Sequence, residues 1–226
     1  MKKAVVLLSG GIDSSTTLFF AKKKGYTCHC LIFDYGQRHR KEVDAAKKIA
    51  QITNSKSQIL KIALPWKGSS LLDKRQSTVN SQQSTGIPST YVPARNTIFL
   101  SYAISFAEAT GSDNIFIGAN AIDYSGYPDC RPMYFEIFNR LIKVGTKSGV
   151  EKKIIVIKTP LIDMTKAQII KLGARLGVPY ELTWSCYKGG KIPCMKCDSC
   201  RFRKKGFDEA KIEDPLFSFR GQRSEN

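Results

Sequence analysis

Ala4-Val5-Val6-Leu7-Leu8-Ser9-Gly10-Gly11-Ile12-Asp13-Ser14-Ser15-Thr16-Thr17-Leu18 is the stretch on which the fold turns. Ala4 to Leu8 has the continuous apolar character of a strand buried on both faces, and a helix-compatible run follows from Asp13 or Ser14 to about Lys24. Between them, two glycines let the backbone turn with positive φ and approach a ligand closely. The unsatisfied N–H groups of the next helical turn point at whatever sits there. Such a turn is a phosphate cradle. It lacks the lysine of G-x-x-x-x-G-K-[ST] and does not spell G-x-G-x-x-G, so neither of those nucleotide motifs applies.

Outward from this turn, strand-like and helix-like segments alternate. Cys28–Asp34 reads as a second buried strand, Arg38–Ile52 as a helix with Val43, Ala46, Ile49 and Ala50 at helical spacing, and Gln58–Leu64 as a third strand stopped by Pro65. The stretch from Trp66 to Thr90 is polar and aperiodic, which suits a flap near a site. Arg95–Thr110 is a helix too apolar all round to face water, ended by Gly111. Strands at Asn114–Gly118 and Lys153–Lys158 flank a helix at Tyr134–Val144. Thr165–Leu176 is the best-delimited helix, with Thr165 and Gln168 as a capping box, Gly177 at its end and Pro179 beyond. The pattern predicts an α/β fold with a five-stranded parallel sheet and helices on both faces, over residues 1–180.

Ligands of open parallel sheets gather beyond the carboxyl ends of the strands. The segments there are Ser9–Ser15, Asp34–His39 (DYGQRH) and Gly118–Arg131 (GANAIDYSGYPDCR). The second is either a polar contact to a nucleotide or a capped turn; His39, with no visible partner, is not assigned as a base. The third carries two carboxylates, two tyrosines and an arginine. A carboxylate can accept the paired N–H donors of a guanine-like edge, a tyrosine can stack on the base, and an arginine can pair with a substrate carboxylate. Cys130 reads as a small packed side chain.

With 226 residues the chain is long enough for one α/β core and a small appendage. There is no run of about 18 apolar residues, and the start has no signal-peptide pattern, so the sequence predicts a soluble cytoplasmic protein with no membrane partner. The formal charge of +17 is spread along the chain and would serve a polyanionic small substrate as well as a nucleic acid. Seven cysteines, four of them at Cys186, Cys194, Cys197 and Cys200, argue for a reducing compartment and a metal rather than disulfides. That spacing fits a closed four-thiolate zinc site, structural in role, with an iron–sulfur cluster as the alternative. It would organise the polar segment 181–226, whose Lys196, Arg201, Arg203, Lys204 and Lys205 read as a solvated face.

SGGIDSS, YGQRH, VPARN (Val92–Asn96), DYSGYPDCR (Asp123–Arg131) and the spaced cysteines, in this order, resemble the 7-cyano-7-deazaguanine synthase family of PP-loop ATP pyrophosphatases. The resemblance runs from about Ala4 to Lys205. It implies an adenine-nucleotide α-hydrolase-like fold and a homodimeric ligase that converts 7-carboxy-7-deazaguanine and ammonia to the nitrile with ATP, en route to queuosine or archaeosine. Cleavage would fall between the α and β phosphates of ATP.

On this resemblance Leu8–Leu18 would bind ATP, with Ser9, Asp13 and Ser14 closest to the chemistry. Asp13 would position Mg²⁺; its alternative role is an N-cap. Arg95, Asn96, Asp123, Tyr124, Asp129 and Arg131 would form the substrate pocket, and the four cysteines would hold Zn²⁺. No direct nucleic-acid partner is expected. The competing reading is a PP-loop enzyme that modifies tRNA directly, by thiolation or lysidine-type ligation.

Overall fold

A strand apolar at every position has no face to offer water, so it must lie inside a sheet covered on both sides. In the computed structural model, which describes residues 2–37, 39–64, 69, 71–72, 87–120 and 126–218, that strand is β1 (Lys3–Leu7). It pairs in parallel with β2 (Thr27–Asp34) and with β4 (Asn114–Phe116), Val5 lying opposite both His29 and Ile115. Adding β3 (Lys56–Lys61) and β5 (Val156–Lys158) gives a five-stranded parallel sheet of order β3-β2-β1-β4-β5.

Alternate residues of β1 enter different cores. Ala4, Val6 and Leu8 pack with Leu18 of α1 (Ile12–Lys23) and Val43, Ala46 and Ile49 of α2 (Lys41–Ile52). Val5 and Leu7 pack on the opposite face with Leu100 of α3 (Arg95–Thr110) and Phe138 and Ile142 of α4 (Pro132–Gly145). After the short α5 (Lys147–Val150), α6 (Lys166–Leu176) lays Ile169 and Ile170 on Ile12, and α7 (Asp198–Ala210) adds Phe207 to the same cluster. A last short helix, α8, spans Pro215–Ser218. No helix among the described residues is long and apolar enough to cross a membrane.

Several boundaries shift for reasons that lie in the partner strand. β3 stops at Lys61, short of Leu64, because its ladder partner β2 stops at Asp34, opposite Lys61. β5 starts at Val156 rather than Lys153 because β4 supplies its first partner at Asn114. The capping box of α6 is present: Thr165 N–H donates to Gln168 Oε1 at 2.8 Å, Gln168 N–H donates to Thr165 Oγ1 at 3.3 Å, and Gly177 closes the helix at φ 75°.

Two expectations are corrected. The α3 helix does face water along part of its length: Asn96, Leu100, Ala103 and Ala107 form its buried stripe, whereas Tyr102 is 44% exposed. Arg203 does not belong to the solvated basic face. It is 3% exposed and donates to both Asp214 oxygens (2.6 and 2.7 Å), to Thr183 Oγ1 (2.7 Å) and to the Tyr180 carbonyl (3.0 Å). A buried guanidinium is tolerable only with such a full set of acceptors. Most of the flap expected over 66–90 lies outside the described residues.

Candidate active site

The loop after β1 and the segment after β4 leave the sheet side by side, at the point where the strand order reverses. Two glycines make this crossing possible. A Cβ at Gly10, whose φ is +84°, would lie 2.4 Å from the Glu42 carbonyl oxygen, and one at Gly118 would lie 2.9 Å from the backbone of Asp13. Only hydrogen fits at either place, so the start of α1 is wedged between α2 and the end of β4.

Within the wedge, Ser9 Oγ and Ser14 Oγ lie 3.0 Å apart. Gly11 N–H donates to Ser9 Oγ at 3.4 Å, and Ser15 Oγ–H donates to the Gly11 carbonyl at 2.7 Å. Gly11 is the N-cap of α1 and offers no side chain, which leaves the first-turn N–H groups to a ligand. Asp13 is therefore not the cap. Its carboxylate accepts from Lys166 Nζ at 2.8 Å and 2.6 Å, one bond to each oxygen, and from Asn120 Nδ2 at 3.1 Å.

A cavity of about 350 Å³ opens from this loop, within the size range of small-ligand sites. Ser9, Asp13 and Ser14 line it, as do Tyr35, Glu42, Arg95, Asn96 and Cys130. Arg95 follows Ala94, which sits in the left-handed region at φ 50°, a strained conformation for alanine. The turn is held there by Ala94 N–H donating to Tyr91 Oη (2.9 Å) and Asn96 N–H donating to Asp129 Oδ2 (3.0 Å). As a result the Arg95 guanidinium meets Tyr35, donating to its hydroxyl at 3.2 Å, and lies 5.9 Å from the Phe99 ring centroid.

Asn96 and Asp129 also bond to each other through Asn96 Nδ2 and the Asp129 carbonyl at 3.0 Å, and the same amide donates to the sulfur of buried Cys130 at 3.2 Å. These three residues thus brace the pocket wall. Arg131 is exposed at the N-cap of α4 and is not part of that wall. Asp123 and Tyr124 lie outside the described residues, as does Arg38. Of the DYGQRH segment, Gln37 closes a turn by accepting from Tyr35 N–H at 2.8 Å, while Asp34 pairs with Arg40 at 3.1 Å.

Cys186, Cys194, Cys197 and Cys200 bring their sulfurs within 4.8 Å of one another, the first and last buried. A tetrahedral site with metal–sulfur bonds of about 2.3 Å needs sulfurs about 3.8 Å apart, so a small contraction would enclose an ion. Cys186 Sγ already accepts from the N–H groups of Lys188 (3.4 Å) and Cys194 (3.3 Å). Burial works against ionising the Cys194 thiol, but the N–H groups of Lys196 and Cys197 outweigh it and bring its pKa to about 6. The donor set fits a bound metal. It is joined to the loop by Trp184, whose N–H donates to the Gly10 carbonyl at 2.9 Å and whose indole N–H donates to the Cys186 carbonyl at 3.0 Å.

Lys166 and Glu42 escape a reading by motif. Lys166 does leave one trace: a cation at the first position of a helix opposes the dipole, so something elsewhere must hold it. Glu42 leaves none, since an acid in a first turn is ordinary.

Comparison with known proteins adds the following. The family model described as "Queuosine biosynthesis protein QueC" matches residues 3–211. The chain is 52% identical over 217 residues to the 7-cyano-7-deazaguanine synthase of Saccharophagus degradans, covering 95% of this chain and 96% of that one. It is 53% identical over 218 residues to the protein of the same name from Thermoplasma volcanium, covering 95% and 90%. Among solved structures, NMN synthetase from Francisella tularensis superposes with a TM-score of 0.50 at 14% identity, over 94% of this chain and 87% of that one, a likeness of fold alone.

Burial pushes the Glu42 carboxyl up to about 7, with the charge of Arg95 pulling the other way. The unfolded carboxyl titrates near its ordinary value of 4.5. Below that value both states are protonated and folding is unaffected. As pH rises towards 7 the folded state holds the extra proton, so stability falls. Glu42→Gln, which mimics the neutral acid, is expected to raise unfolding free energy at pH 8 by on the order of 2–3 kcal/mol and to change it little at pH 4. Urea melts at the two pH values read this directly; equal effects at both would contradict the assignment.

Proposed function

This chain belongs to the QueC family of queuosine biosynthesis proteins, and from that membership we infer that it is a 7-cyano-7-deazaguanine synthase. It would be an ATP-dependent ligase that converts 7-carboxy-7-deazaguanine and ammonia to the 7-nitrile, on the route to queuosine or archaeosine. One observation carries the reading beyond family: the phosphate-cradling loop and Arg95 open into the same cavity. Triphosphate and organic acid can therefore meet there.

A carboxylate is a poor electrophile, so its oxygen first attacks the α-phosphorus of ATP; the bond to the bridging oxygen breaks and pyrophosphate leaves with the electron pair. Ammonia then displaces AMP from the acyl carbon and loses a proton, giving the amide. The amide oxygen attacks a second ATP in the same way, and departure of AMP with loss of the remaining N–H protons leaves the nitrile. No side-chain nucleophile is required. The residues act by holding and neutralising charge: Ser9, Ser14 and the first-turn N–H groups at the phosphates, Arg95 at the substrate carboxylate or the ring. Asp13 would hold Mg²⁺, which supplies charge neutralisation at the phosphates when bound. Asp123, Tyr124, Asp129 and Arg131 belong to the proposed substrate-binding set on the family resemblance, with Asp129 also serving the wall.

Zinc is the proposed occupant of the four-cysteine cluster, and a homodimer the proposed assembly. Supporting the latter, Met133, Ile137, Leu141 and Val144 recur along one face of α4 and are all more than half exposed, on the side of the sheet that also exposes Tyr102. A reducing cytoplasm suits seven cysteines that form no disulfide among the described residues. We treat residues 1–180 as the nucleotide-binding unit and 181–226 as the metal-binding segment packed on it.

Mass spectrometry of the reaction of carboxydeazaguanine, ammonium and MgATP should show the nitrile with AMP and pyrophosphate; ADP with orthophosphate would refute the chemistry, and AMP formed only on adding tRNA would favour direct RNA modification. Elemental analysis should find one zinc per chain, lost in Cys197→Ala together with about 10 °C or more of melting temperature; iron in its place would refute zinc. Leu141→Glu should halve the mass seen by light scattering. A wild-type monomer would remove the dimer.

A further inference from the structure

A guanine-type edge shows a protein two neighbouring N–H donors and, beside them, a carbonyl acceptor. An ionised carboxylate can take both donors at once, since it carries two acceptor oxygens and no hydrogen of its own. We propose that Glu42 reads this edge, accepting from the ring N–H and the exocyclic amino group of the deazaguanine acid while Arg95 donates to the carbonyl next to them, an assignment that rests on the synthase reading above.

Among the described residues two carboxylates line the cavity, Asp13 and Glu42. Asp13 already accepts from Lys166 at 2.8 and 2.6 Å and from Asn120 at 3.1 Å. Asp129, the described acid of the Gly118–Arg131 segment, is turned to the wall instead, where it accepts from Asn96 N–H at 3.0 Å. Glu42 stands differently. Its carboxylate takes no hydrogen bond and forms no ion pair among the described residues, although its charge is felt by Arg95, Tyr35 and Tyr187. Burial raises its pKa to about 7 against the pull of Arg95, so the protein itself does not supply the hydrogen bonds that would favour the anion. Two N–H donors on a ligand do.

The place of Glu42 agrees with its chemistry. Its carbonyl presses so closely on Gly10 that no Cβ fits between them, which fixes the first turn of α2 against the phosphate-cradling loop. A ring held by Glu42 is therefore held in register with the phosphates, as attack on the α-phosphorus requires. Arg95 lines the same cavity, and its guanidinium spends one N–H on Tyr35 at 3.2 Å and keeps others for a ligand. The wall thus presents two acceptors and then a donor, the complement of the edge. Rings of Tyr35, Phe99, Trp184 and Tyr187 line the cavity as well, flat surfaces on which a fused bicycle can lie. A substrate without the 2-amino group would leave one Glu42 oxygen desolvated and unpaired, and selectivity arises there.

The test compares AMP formation from 7-carboxy-7-deazaguanine with that from its analogue lacking the 2-amino group, 7-carboxy-7-deazahypoxanthine, on the full-length, zinc-loaded protein. Wild type should prefer the first acid by about 100-fold or more in kcat/KM. Glu42→Gln puts an N–H where an acceptor is needed. It should raise KM for the first acid about 30-fold or more with a smaller fall in kcat, and shrink the preference to about 5-fold or less. At pH 8 this variant is expected to exceed wild type in stability, so the loss is not one of folding. Glu42→Ala, which removes the carboxyl altogether, provides the same comparison should the glutamine variant melt below the assay temperature. Wild-type preference retained in Glu42→Gln refutes the assignment, and so does a wild type indifferent to the 2-amino group. Wild-type protein that forms no AMP from the first acid overturns the synthase reading itself and this assignment with it.

Discussion

Everything in this fold is arranged around two places where no side chain can be tolerated. Gly10 and Gly118 let α1 begin within contact distance of both α2 and the end of β4. If either carried a methyl group, the Glu42 carbonyl or the Asp13 backbone would have to retreat, and the loop would lose the curvature that turns its N–H groups towards the cavity. The close approach also fixes what surrounds it: Glu42 and Asp13 become neighbours of the same cavity although they sit on different helices.

Electrostatics then organises what packing has brought together. Asp13 is balanced by Lys166 and Asn120, Arg95 is set against Tyr35 with Glu42 nearby, and Arg203 is closed within a ring of acceptors. The three cations differ in accessibility, and the difference tells their duties apart. Arg203, 3% exposed and bonded to Asp214, Thr183 and Tyr180, holds the chain together; Arg95 and Lys166 are part-exposed where they line the cavity.

The sheet, its parallel sense, the α6 cap and the cysteine cluster could be read from residues alone, because each depends on local patterns: apolar runs, a Thr-x-x-Gln box, C-x-x-C spacing. Other features depended on partners far away in the chain. The ends of β3 and β5 are set by the lengths of β2 and β4. Lys166 meets Asp13 across 153 residues, and Arg203 meets Tyr180 and Asp214 through a turn that no periodicity announces. The basic character of residues 196–205 misleads for the same reason, since charge counts cannot distinguish an arginine facing water from one facing a carboxylate. Of the proposed pocket, Arg95 and Asn96 were legible from their place at a helix start, whereas Glu42 looked like any acid in a first turn.

The bond from Trp184 N–H to the Gly10 carbonyl, with the indole N–H on the Cys186 carbonyl two residues further on, places the glycine turn and the thiolate cluster on one short lever. With the proposed zinc in the cluster and the proposed magnesium beside Asp13, a chelator aimed at the second ion would act on both ends of that lever. A loss of nucleotide affinity in EDTA would then mix removal of the ion with slackening of the glycine turn.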